Sequence, residues 1–108
     1  MIRFYLAVGV LALSLAGQAD AAARELNQSE LREASASGKT MRLKSVMDAV
    51  AGAVGGTAVD ARAFEADDIY FRVLVKKPDG RIVSVIINAR TGKQLSSNSN
   101  LGRQISNA

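Results

Sequence analysis

Ile69-Tyr70-Phe71-Arg72-Val73-Leu74-Val75-Lys76 and Arg81-Ile82-Val83-Ser84-Val85-Ile86-Ile87-Asn88 are two runs rich in β-branched and aromatic residues, joined by Lys77-Pro78-Asp79-Gly80. Such runs bounded by Pro-Asp-Gly predict a β-hairpin. Pro78 presets φ at the first turn position, Asp79 can bond the local backbone, and Gly80 takes the positive φ that the turn demands. Thr91-Gly92 repeats the punctuation after the second run. Side chains alternate across a strand, so Ile69, Phe71, Val73 and Val75 share one face with Val83, Val85 and Ile87. These are the more apolar sets and predict the core side. The opposite face carries Tyr70, Arg72, Leu74 and Lys76, with Ile82, Ser84, Ile86 and Asn88 across the hairpin.

Upstream, Leu43, Val46, Met47, Val50 and Val54 fall at i, i+3, i+4, i+7 and i+11, one continuous helical stripe. The spacing predicts a main helix from a Thr40 N-cap to Val54, closed by Gly55 in the left-handed conformation. Gly52 lies opposite the stripe, where it costs about 1 kcal/mol relative to alanine. Asn27-Gln28-Ser29-Glu30 has capping-box spacing and predicts a short helix that Gly38 stops. A first strand is expected over 57–66, with Asp67-Asp68 turning into the hairpin, and a short fourth strand over 93–96. The fold class is therefore α+β: one small domain, an antiparallel three- to four-stranded sheet, and one main helix on one face, preceded by a short helix.

Met1-Ile2-Arg3 is a basic head on an apolar run from Phe4 to Ala16, and Ala19-Asp20-Ala21 fits a small-x-small cleavage site. The pattern predicts a signal peptide over 1–21 with cleavage before Ala22; cleavage before Arg24 is equally legal. The apolar run falls short of the roughly 20 residues that span a bilayer, which disfavours an uncleaved anchor. The expected location is periplasmic or secreted. Residues 22–28 read as a linker, 29–96 as the domain, and the polar 97–108 as a disordered tail.

With no cysteine, disulfides and a lipidated N-terminal cysteine are both excluded. A domain this small buries only about 60% of its unfolded-chain surface, so apolar packing must carry its stability. The net charge of +4 is scattered among interleaved acids. That pattern lacks the clustered basic face of a nucleic-acid reader and fits attraction to acidic partners better. A basic membrane-surface role is a lesser alternative, marked by salt-sensitive liposome binding.

The helix ending at Gly56, Phe71-Arg72-Val73, Asp79-Gly80-Arg81, Val85-Ile86-Ile87 and Asn88-Ala89-Arg90-Thr91-Gly92 stand in an order that resembles the PepSY domain family. The likeness runs from Leu31 to Leu95, with Phe71 where tyrosine is common and Asn88 where aspartate is common. The resemblance implies a helix packed across an antiparallel sheet and no catalytic residues. It also implies a role in restraining peptidases or modulating envelope processes.

No histidine or cysteine is present, which removes the commonest general base, zinc ligands and thiol nucleophiles, including any His-Glu-x-x-His peptidase motif. Lys44-Ser45 invites a Ser-Lys dyad, but adjacent helical residues point about 100° apart, which favours a solvated helix face. Asp67-Asp68 near Glu65 could hold calcium through oxygen ligands; a turn that prefers aspartate is the simpler reading. Gly52, Gly55 and Gly56 end a helix, whereas a phosphate cradle begins one.

The sharper candidate is a partner-binding face of Tyr70, Arg72, Leu74, Ile82 and Ile86, since tyrosine and arginine are enriched at binding hot spots. The competing reading has the tail or the first helix covering part of that face. The function expected is an exported, non-enzymatic binding module, without cofactor or metal. It would act on an envelope peptidase or a sensor region, or alternatively pair with its own copy as a structural homodimer. A small hydrolase is disfavoured, because no nucleophile–base pair can be placed together.

Overall fold

The computed structural model describes residues 22–108, so the expected leader, 1–21, lies outside the described residues. The chain runs β1 (Arg24–Glu25), α1 (Gln28–Ala36), α2 (Leu43–Val54), β2 (Thr57–Glu65), β3 (Ile69–Lys76), β4 (Ile82–Asn88), β5 (Gln94–Leu95) and α3 (Asn100–Ser106). The strands form one antiparallel sheet in the order β1-β2-β3-β4-β5. This is the α+β unit expected, with the short fourth strand paired at one edge and β1 added at the opposite edge, beside β2.

The hairpin forms as its residues require. Lys77 N donates to Arg81 O at 2.8 Å, Gly80 adopts φ 91°, and Asp79 accepts from the Arg81 backbone at 3.0 Å. Opposing residues run from Tyr70↔Asn88 to Lys76↔Ile82, so the predicted parity holds. Phe71, Val73, Val75 and Ile87 are buried against Val46 and Val50 of α2. Each large side chain removed from water in this way contributes about 1.5–3 kcal/mol. Between β2 and β3 the register slips at Val59, an extra residue left exposed on a bulge.

Helix α1 has the predicted capping box: Glu30 N donates to Asn27 Oδ1 at 2.8 Å, and Asn27 N donates to Glu30 Oε1 at 2.9 Å. That second bond is the main reason the Glu30 carboxyl is held below the usual carboxylate range.

Three expectations are corrected. Thr40 is not the cap of α2. Met41 N donates to Ala89 O at 2.8 Å, which ties this stretch to the sheet, so the helix starts two residues later with Arg42 as N-cap and no side-chain cap. Residues 22–28 are not a free linker, because Arg24 and Glu25 pair with Glu65 and Phe64 of β2. Arg24 also bridges Glu30 and Glu65 at 3.0 and 2.8 Å. The tail is not disordered; it folds as α3. Ser99 Oγ accepts from Gly102 N at 3.0 Å, and Leu101 and Ile105, four residues apart, face the sheet. Gly102 is buried against the preceding turn, where an added Cβ would lie 2.9 Å from Ser97 Cα.

Candidate functional site

The five residues predicted as a binding face do share the outer side of the sheet, but α3 lies over three of them. Tyr70 and Ile86 form a second apolar cluster with Phe64 and a fully buried Ile105. Arg72 is only 7% exposed; its Nη1 donates to Ile105 O at 2.8 Å and to Ala108 O at 3.1 Å. Its guanidinium sits 5.2 Å from the centre of the Phe64 ring. A cation stacked on an aromatic face and donating to the Ile105 carbonyl in α3 and the Ala108 carbonyl just past it is a latch for that helix. The Tyr70 hydroxyl donates to Asp67 Oδ1 at 3.0 Å, and burial, with Asp67 second, pushes its pKa up. Leu74 is half-buried and Ile82 is 53% exposed. Tyr70, Arg72, Leu74, Ile82 and Ile86 therefore do not make one open platform. The chain's own C-terminal helix occupies much of it.

The open apolar surface is on the other side of the sheet. Helix α2 lies across β2 and β3, and Leu31 of α1 adds cover to the same core. Among the described residues, no helix lies over the inner face of β4. The result is a groove of about 790 Å³ between α2 and β4. Ser45, Ala49 and Ala53 give it a small-residue wall on the helix, and Val83, Val85 and Ile87 form its floor. One end is made by Met41, Gly92 and Gln94; the other lies at Val54 and Val83. Met41 packs on Gly92, its terminal methyl 3.5 Å from where a Cβ would stand. At the far end Gly56 meets β3 so closely that an added Cβ would lie 2.9 Å from Val75 Cγ1. A groove of this size and composition sits in the range of small-ligand and peptide sites.

Among the described residues, the groove's edge is also open. β5 pairs only with Ile86 and Ile87, after which the chain turns at Ser96 into α3. Lys77 N bonds Arg81 O and Ala89 N bonds Ile69 O, so odd-numbered residues of β4 direct their backbone groups to β3. Ile82 and Ser84 therefore direct N–H and C=O outward, past the end of β5. A bare strand edge of this kind is a template for another strand.

The groove had a legible signal that residue patterns alone passed over. One helix is about 10 Å wide, whereas four strands at about 4.8 Å spacing make a broader sheet, so a single helix leaves part of the face bare.

Other candidate chemistry finds ordinary partners. Lys44 pairs with Asp48 at 3.2 Å, one turn along, while Ser45 faces the groove. Asp68 Oδ2 accepts from Arg90 at 2.7 Å and from Asn88 Nδ2 at 3.1 Å; the Arg90 bond is the first cause holding its carboxyl low. Asp67 accepts from Tyr70, so the two turn aspartates are engaged in internal pairs. Among the described residues, no group of three or more His, Cys, Asp or Glu is placed to hold a metal, and no helix is long and apolar enough to cross a membrane.

Compared with protein-family models, curated proteins and solved structures, the chain finds no match.

Proposed function

We propose that this chain is an exported, non-enzymatic binding module of the PepSY kind. Its partner is an envelope protein, such as a peptidase or the sensor region of a signalling protein. The observation that carries the reading is the apolar groove between α2 and β4, lined mainly by small and β-branched side chains. The binding surface is accordingly this groove rather than the outer face, which α3 covers over Tyr70, Arg72 and Ile86. The motif order from the α2 glycines to Thr91-Gly92 supports the family reading, and the basic head and apolar run of 1–16 support export.

A second reading, self-association, is favoured by the bare β4 edge and by exposed Ile82 beside it. The two readings separate in one experiment. The mature chain and its Ala49→Glu variant are used as bait in an envelope extract, with sedimentation run alongside. One protein retained by the wild type and lost with Ala49→Glu, from a monomeric bait, is the expected result. A bait that dimerises and retains nothing overturns the proposal in favour of self-pairing.

A further inference from the structure

Resting on the groove as the binding surface, we infer that its occupant is an extended, acidic polypeptide segment that adds to the β4 edge as a further strand. Ile82 and Ser84 offer two outward N–H groups and two outward carbonyls just where β5 ends. A strand laid there continues the line of β5. Its side chain opposite Val83 enters the groove, and its neighbours lie beside Ile82 on the other side. Main-chain bonds supply the attachment and the groove selects small or β-branched side chains.

Charge decides between a foreign segment and a second copy. Arg42 adjoins Met41, Lys93 lies between Gly92 and Gln94, and Lys77 stands at the hairpin end beyond Val75. Among the described residues, none of these three cations is in an ion pair. Asp48, next to Ala49 in sequence, is already engaged with Lys44, and Asp79 of the hairpin turn with Arg81. A second copy would bring the same unpaired cations together around one groove. A segment with a carboxylate flanking its apolar residues meets Lys77 where the strand runs past the hairpin end, which is the complementary arrangement.

The test uses the protein purified as cells process it and a short synthetic peptide alternating valine and threonine between terminal glutamates. Titration is followed by calorimetry. A peptide with lysines in place of the glutamates should bind at least about tenfold more weakly. Ser84→Pro removes an outward N–H without touching the β3 ladder, so it should keep the fold by circular dichroism yet lose about tenfold or more in affinity. Ala49→Glu should abolish binding.

Binding that Ser84→Pro leaves unchanged overturns strand addition while the groove reading stands. Binding that Ala49→Glu leaves unchanged overturns the groove itself. Equal binding of both peptides overturns the acidic partner. No binding, with a dimer that Ser84→Pro dissolves, assigns the edge to a second copy instead.

Discussion

Arg72 shows how one side chain can read two ways. On the sequence it is a polar anchor amid apolar neighbours, the composition of a binding hot spot. In the fold it is buried, stacked on Phe64, and donates to two carbonyls at the end of α3. A buried guanidinium is stabilising only while its partners are present, so removal should be costly. Arg72→Ala should lower stability by roughly 2–4 kcal/mol, from charge-assisted hydrogen bonds plus the stacking contact. Urea denaturation monitored by circular dichroism measures this directly. A loss below about 0.5 kcal/mol, the level of an ordinary surface change, would mean α3 is not latched through this residue. Gly52 is a simpler case: its exposed Cα has nothing within 4 Å of an added Cβ, so neither packing nor backbone conformation requires glycine there.

At the level of elements, legibility tracked how much of the signal was local. The β3–β4 hairpin was fully readable, because Pro78-Asp79-Gly80 and the alternation of Phe71, Val73 and Val75 carry turn, register and facing within one stretch. The stripe of α2 and the Asn27–Glu30 capping box were readable for the same reason. Helix α3 was not. Its seven residues hold only Leu101 and Ile105 as large apolar groups, too few to announce an element, and it folds because Phe64, Tyr70 and Ile86 await it across the sheet. A quieter cue was present in Ser99 followed by Gly102, a cap before a close-packed turn. The two-residue β1 was hidden similarly, being defined by its pairing to Glu65 and Phe64 rather than by its own composition. The candidate site followed the same rule: which residues share a face was legible from parity, but which face stays open depended on α3 and on where α2 lies.

For the whole molecule, the arrangement is asymmetric. Among the described residues, the outer face is covered by α3 over Tyr70, Arg72 and Ile86, and the inner face is closed over β2 and β3 but open over β4. Carboxylates tie the periphery together: Asp68 to Arg90, Glu30 to the Asn27 backbone, and Asp79 to the Arg81 backbone, and each is held below the usual carboxylate range. A carboxylate whose folded pKa is depressed contributes stability that is fully present above its unfolded value, about 4, and lost as pH falls through the folded value. The urea midpoint should therefore be level between about pH 7 and 5 and fall below about pH 4. Asp68→Asn should make that fall shallower. A midpoint that rises on acidification would contradict the pairing account. The most direct test of the central claim, that the groove is the binding surface, is a methyl chemical-shift map of the protein titrated with the glutamate-ended peptide. The account predicts shifts at Val50, Val54, Val83 and Val85, with Leu101 and Ile105 unmoved. Shifts confined to Leu95, Leu101 and Ile105 would contradict it and return the binding role to the outer face.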